Sequence, residues 1–286
     1  MSSLKEIKSR IQSVKSTQKI TSAMKMVSSA KLRKAQKTIE NFYPYEDRLN
    51  KILNNFLSAE DENSSVYAEV REVKRVAIVV VSSNSSLCGG FNSNVTKRLT
   101  QTLETYHALG HENILVFPVG KKITKAARKF GFEPEAHLDA LADKPTYVDA
   151  LDLADQIMNL FYNKDIDKVE LVYHHFVSKS TQVLTSETLL PIQLKKPEKG
   201  AIALDYIVEP DRQTLMDELI PKVLRLKIYT ALLDSSASEH AARTMAMQIA
   251  TDNADDILQE LSLLYNKSRQ QAITNELLDI LGGSFK

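Results

Sequence analysis

The 286-residue sequence contains no tryptophan and one cysteine, Cys88. A single thiol excludes an internal disulfide and any zinc site built from four cysteines, and a reducing compartment is its natural setting. No run of about 18 apolar residues occurs, so no bilayer-spanning helix is expected. Glycine is scarce and confined to Gly89, Gly90, Gly110, Gly120, Gly131, Gly200, Gly282 and Gly283, which leaves 1–88 and 201–281 without any. Six of the eight prolines lie between 118 and 210. Turn punctuation is thus concentrated in the middle of the chain, between two flanks nearly free of breakers. With 43% hydrophobic and 26% charged residues, disordered and collagen-like classes are excluded, and the chain is long enough for a sizeable core.

Acidic residues are rare at the start. Between Met1 and Lys37 ten basic residues face one acid, Glu6; this segment carries +9 and leaves −8 on the other 249 residues of a chain whose total is +1. A basic end on a mildly acidic body implies an acidic partner for that end. Nucleic acid is one such partner, but Phe42, Tyr43 and Tyr45 cluster beyond the lysines rather than among them, and composition alone does not choose. A mitochondrial presequence would also be basic; here only two arginines occur, and the apolar stripe continues into the helix beyond.

That stripe runs through Leu4, Ile7, Ile11, Val14, Ile20, Met24, Val27, Ala30, Ala35, Ile39, Phe42, Tyr45, Leu49, Ile52 and Phe56, mostly in helical steps of three and four. Beyond Pro210 a second stripe includes Leu215, Leu219, Leu224, Ile228, Ala231, Ala242, Met245, Ile249, Ile257, Leu261, Leu264, Ile273, Leu277 and Leu281, and Gly282–Gly283 suggest a helix stop. A helix over 210–281 would be roughly 105 Å long at about 1.5 Å per residue. A compact globule of this chain would be only about 50 Å across. The two flanks are therefore expected to pair as an antiparallel coiled coil, with an imperfect seam at Gln18, Thr21, Ser235 and Asp252. The alternative is two ordinary helical subdomains folded back at Pro44, Pro221 and Ser235–Ser236.

The middle reads as a small α/β body. Strands are expected at Val73–Val81, Asn113–Val119, Val169–Val177 and Thr181–Leu194, with helices at about 93–108, 121–130 and 147–162. The order predicts a parallel sheet whose last pair is antiparallel. The fold class is α/β: a long antiparallel coiled coil with an inserted Rossmann-like domain, divided as 1–60, 70–208 and 210–286.

Chemistry is thin. Neither G-x-x-x-x-G-K-[ST] nor G-x-G-x-x-G occurs. Cys88 would need a base as a nucleophile, and the nearest histidines in sequence, His107 and His111, lie on or after the next helix. His174 and His175 are adjacent on a strand, point to opposite faces and cannot share a metal. No catalytic residue, metal or cofactor is expected.

Four segments carry a resemblance. Lys15–Lys31 (KSTQKITSAMKMVSSAK), Leu87–Asn92 (LCGGFN), Ala237–Asn253 (ASEHAARTMAMQIATDN) and Tyr265–Gly283 (YNKSRQQAITNELLDILGG) closely resemble the gamma subunit of F-type ATP synthases. One departure is Asn84-Ser85-Ser86, where the family often has Asp-Arg-Gly. The regulatory cysteine pair of plastid members is absent as well. The resemblance implies a noncatalytic central rotor shaft inside a ring of alpha and beta subunits. Its body would meet the c-ring and the epsilon subunit, coupling ion flow to ATP synthesis without direct bilayer insertion or nucleic-acid binding. It implies a peripheral location on the cytoplasmic face of a bacterial inner membrane. It assigns ring contacts to Met24, Lys25, Arg243, Arg269, Gln270, Thr274 and Glu276, and a c-ring foot to Leu204, Asp205 and Tyr206.

Overall fold

A computed structural model describes residues 4–57, 65–136, 138–192, 209 and 211–284. Two long helices bracket the chain: α1 (Leu4–Leu57) and α6 (Arg212–Ser284). Between them lie β1 (Val76–Val81), α2 (Phe91–Thr105), β2 (Ile114–Val119), α3 (Lys121–Lys129), α4 (Asp139–Asp143), α5 (Tyr147–Tyr162), β3 (Lys168–Phe176) and β4 (Gln182–Leu190). Pro44 and Pro221 lie inside helices, and α6 runs through Ser235–Ser236, so the folded-back alternative does not hold. Nor do Gly282 and Gly283 end α6, which continues to Ser284.

The four strands form one sheet in the order β2-β1-β3-β4. β1 pairs in parallel with β2 and β3, and β4 returns antiparallel to β3. Pro118 is tolerated in β2 because an edge strand has one side that needs no amide donor. β1 begins at Val76 rather than Val73, because the amides of Lys74 and Arg75 donate to the Asp167 carboxylate at 2.9 and 3.0 Å instead of joining a ladder. β4 stops at Leu190, before Pro191.

The chain divides into two compact units, 1–29 with 243–286, and 30–242. In the larger unit both sheet faces are covered, which explains the unbroken apolar run of β1. Val76, Ile78 and Val80 pack with Val95 and Leu99 of α2 and Ile123 of α3. Ala77, Val79 and Val81 pack with Leu153, Ile157 and Phe161 of α5 and with α6. Within α6 every residue from Ile228 to Ala241 is buried. A helix hydrophobic on one stripe would not need that; this segment is enclosed by the body and α1 together.

In the smaller unit α1 and α6 run antiparallel. Gln18 Nε2 donates to Asp255 Oδ1 at 2.8 Å, the Thr21 and Thr251 hydroxyls meet at 2.8 Å, and Lys25 Nζ donates to Gln248 Oε1 at 3.0 Å. The most buried positions step by three and four: Leu4, Ile7, Ile11, Val14, Gln18, Thr21, Lys25 and Ser28 on α1, against Thr244, Met247, Thr251, Ala254, Leu258 and Leu261 on α6. That 3.5-residue spacing is the seam of a coiled coil.

Candidate functional site

The loop after β1 is held by its own polar side chains. Cys88 is 1% exposed and accepts from Asn92 Nδ2 at 3.1 Å. Asn92 Oδ1 in turn accepts from the Ser83 amide at 3.1 Å and the Ser83 hydroxyl at 3.0 Å. Asn84 bridges outward, donating to the Asp139 carbonyl at 2.7 Å and accepting from the Lys121 amide at 2.9 Å. The loop ties β1 to α2, α3 and α4. His111 is stacked on Phe132, with centroids 3.8 Å apart. The Cys88 thiol is thus enclosed within the loop.

The adjacent histidines do point apart. His174 stacks on Phe91 of α2 with centroids 4.3 Å apart, and burial pushes its imidazole down to about 4, so it stays neutral. His175 turns to α6 and meets Asp234 at 2.5 Å.

What the molecule offers a partner lies on the smaller unit. The stripe read from the sequence and the seam coincide at Leu4, Ile7, Ile11, Val14 and Leu261 and part elsewhere. Ile20 (59% exposed), Met26 and Val27 on α1 face solvent, as do Met245, Ile249 (55%), Ile257 and Leu264 on α6. Where they part, the seam takes Gln18, Thr21, Lys25 and Ser28 on α1 and Thr244, Thr251 and Ala254 on α6. Small and polar seam residues allow close approach and fix register through directional hydrogen bonds, at a cost in stability. From Ile273 to Leu281 every side chain of α6 is exposed, among them Leu277, Leu278, Ile280 and Leu281. Monomeric proteins seldom display apolar surface on this scale, and such surface marks an interface.

Basic groups stand beside it. Lys8, Lys15 and Lys19, with Ile11, Gln12 and Ser16, line an open concavity of about 410 Å³ along α1. Aliphatic stems flanking apolar surface and ammonium groups projecting outward suit an acidic, partly apolar counterface.

The candidate contact residues divide accordingly. Met24 is half-buried beside the seam, and Lys25 is half-buried within it through its bond to Gln248. Arg243 is 7% exposed and turned into its own chain. Arg269, Gln270, Thr274 and Glu276 are exposed on α6, and the Thr274 hydroxyl donates to the Gln270 carbonyl at 2.9 Å. Leu204, Asp205 and Tyr206 lie outside the described residues. The structure therefore joins Met24 and Lys25 to the helix pair and sets the other four exposed residues along one helix end. The outward apolar face was missed in the sequence; the cue was that the 3.5-residue register begun by Leu4, Ile7, Ile11 and Val14 continues through Gln18, Thr21, Lys25 and Ser28, leaving Ile20 and Val27 outside it.

Known proteins agree with this architecture. A family model described as ATP synthase matches residues 3–285. The ATP synthase gamma chain of Phocaeicola vulgatus is 62% identical over 288 residues, covering 99% of each chain. That of Parabacteroides distasonis is 51% identical, again covering 99% of each. Among solved structures, the rotor of the Euglena gracilis mitochondrial ATP synthase aligns with a TM-score of 0.64 at 19% identity, covering 94% of this chain and 98% of that one. The central stalk and c-ring structure of the Tetrahymena thermophila enzyme aligns with a TM-score of 0.57 at 21% identity, covering 81% and 99%. With full-length relatives at this identity, the chain belongs to the ATP synthase gamma-chain family.

Proposed function

We propose that this chain is the central rotor shaft of an F-type ATP synthase. The paired ends of α1 and α6 turn inside a ring of three alpha and three beta subunits, which hold the nucleotides. The α/β body engages the c-ring, with the epsilon subunit beside it, and the chain itself catalyses nothing. It is peripheral, on the cytoplasmic face of a bacterial inner membrane; among the described residues no helix is long and apolar enough to cross a bilayer. The observation that carries the reading is a helix pair that leaves large apolar side chains exposed outside its own seam, among them Ile20, Val27, Ile249, Leu278 and Ile280. A surrounding collar accounts for the outward side chains, and the lysines of α1 suit acidic groups on that collar.

Symmetry supplies the mechanism. One asymmetric helix pair in a three-fold ring presents a different face to each catalytic subunit. Each site's open–closed equilibrium is biased by the face it meets. Swinging one site from 1:99 to 99:1 needs roughly 5.5 kcal/mol of differential interaction, within reach of several hydrogen bonds and apolar contacts. Met24, Lys25, Arg269, Gln270, Thr274 and Glu276 supply such contacts, Arg243 supports them from within the shaft, and Leu204–Tyr206 form the foot.

The test is isolation of the tagged chain from native membranes, followed by ATP-driven rotation of a bead fixed to its α/β body. Recovery of a three-plus-three head whose bead turns supports the shaft. Recovery without such a head, or a head whose bead stays still while ATP is hydrolysed, overturns it.

A further inference from the structure

Asp234 lies in the stretch of α6 buried on all sides. Ala231, Ser235, Ala237, Ser238 and Ala241 near it are small, while Leu232 and Leu233 join the core. Small side chains let the sheet and helices approach closely. Apolar burial is non-directional, whereas hydrogen bonds hold an angle. The polar groups in this region therefore add a directional constraint to the packing.

Asp234 collects them. Its side chain is 5% exposed, and each carboxylate oxygen serves a different element. Oδ1 accepts from the Tyr43 hydroxyl of α1 at 2.6 Å, and Oδ2 meets Nδ1 of His175 on β3 at 2.5 Å. A second bond to β3 runs nearby, from the Ser238 hydroxyl to the His174 carbonyl at 3.2 Å. Around Asp234 stand Glu46 and Tyr43 from α1, Tyr173 and His175 from β3, Glu187 from β4, and Lys227 and Thr230 from α6 itself. Lys227 pairs with Glu187 at 3.1 Å. Three carboxylates thus share one ammonium and one imidazole. Asp234 is the deeply buried member, with the His175 side chain 43% and that of Lys227 32% exposed, and a buried carboxyl group is a costly thing to keep for stability alone.

We propose that Asp234 is the fastening point through which turning force passes from the sheet into both long helices, a positioning residue that locks α1 and α6 to β3. This rests on the rotor reading. Without the lock, the head still hydrolyses ATP, but the body slips against the helices and fewer ions are moved per ATP.

The experiment uses the whole enzyme in inverted membrane vesicles, measuring ATP-driven ion pumping and ATP hydrolysis together. Losing one buried charge-assisted bond shifts an equilibrium by roughly threefold or more. Asp234→Ala should therefore lower the pumping-to-hydrolysis ratio at least about threefold, with hydrolysis largely retained. Asp234→Asn separates a lock from simple packing. It keeps the volume and the bond from Tyr43 but replaces the carboxylate that meets His175, so the ratio should fall part of the way toward that of Asp234→Ala. A ratio unchanged in Asp234→Ala, or one unchanged in Asp234→Asn, overturns the proposal. If Asp234→Ala does not assemble, Tyr43→Phe decides: it removes one hydroxyl, and an unchanged ratio there overturns the lock. Absence of any pumping or rotation in the unmodified enzyme would instead count against the rotor reading.

Discussion

The two parts of α6 follow opposite rules. Residues 212–242 belong to the larger unit, and within them Ile228–Ala241 is enclosed by the chain's own sheet and helices. Residues 243–284 belong to the smaller unit, touch α1 along a narrow seam, and leave Ile249, Leu263, Ile280 and other apolar side chains in water. One helix is thus stabilised first by its own fold and then only by a partner helix. The first arrangement suits a rigid body. The second suits a surface completed by other subunits. The difference teaches that hydrophobicity along a helix records total burial in the working assembly, not burial in the free chain.

Breaking the enclosed part should cost most. Phe161 fills the core beneath α6, stacking on Tyr67 with Arg71 over its ring 4.3 Å from the centroid. Phe161→Ala should lower stability by about 3–5 kcal/mol in denaturant unfolding. The equivalent cut in the seam, Leu261→Ala, should cost about 2 kcal/mol, at the low end for such a change, because the helix pair closes around the gap. An equal or larger loss at Leu261 would show that the seam, not the body, anchors the fold.

The polar layer of the seam offers a finer test. Thr21→Val or Thr251→Val removes the contact between the two hydroxyls while the remaining one keeps a backbone acceptor, the Gln18 carbonyl at 3.0 Å or the Met247 carbonyl at 2.8 Å, so each should cost about 0.5–1 kcal/mol, with a less than additive loss in the double variant. Additive losses would mean that the 2.8 Å contact carries no energy.

Titration probes the enclosed part more gently. Burial raises the carboxyls of Asp234 and Glu46 and the phenols of Tyr43 and Tyr173 above their ordinary ranges. A folded acid with a raised pKa favours folding fully below the ordinary carboxylate range and loses that contribution as pH rises through its folded value. Stability should therefore decline from the carboxylate range upward, and Asp234→Asn should flatten part of that slope. An unchanged slope in urea titrations between acid and neutral pH would remove Asp234 as its source.

The outward face should matter least to the isolated chain. Ile20→Ser with Ile249→Ser, or Arg269→Ala with Gln270→Ala, should leave stability within about 0.5 kcal/mol. Both pairs should nevertheless reduce ATP synthesis by the assembled enzyme. Normal synthesis with normal assembly would remove those residues from the ring contacts.

Much of this was legible from breakers and runs. The absence of glycine from both flanks foretold α1 and α6, and VAIVVV foretold a strand covered on both faces. The short α4, and the start of β1 set by Asp167, were hidden, because each depends on groups distant in sequence. The proposed contact residues rest on resemblance alone. On α1 the seam was legible at Leu4, Ile7, Ile11, Val14, Gln18 and Thr21; on α6 the stripe took in the exposed Met245, Ile249 and Ile257 in place of Thr244, Thr251 and Ala254, because periodicity ranks stripes by hydrophobicity alone.

The sequence by itself determined the order helix, body, helix, the strand pattern and the family, since local propensity and motif spacing are properties of neighbouring residues. Only the tertiary structure decided which face of each long helix turns inward, and that Tyr43, His175 and Asp234 meet. Those outcomes depend on packing between residues 59 to 237 positions apart, where close approach and hydrogen-bond geometry outweigh the preference of any single side chain.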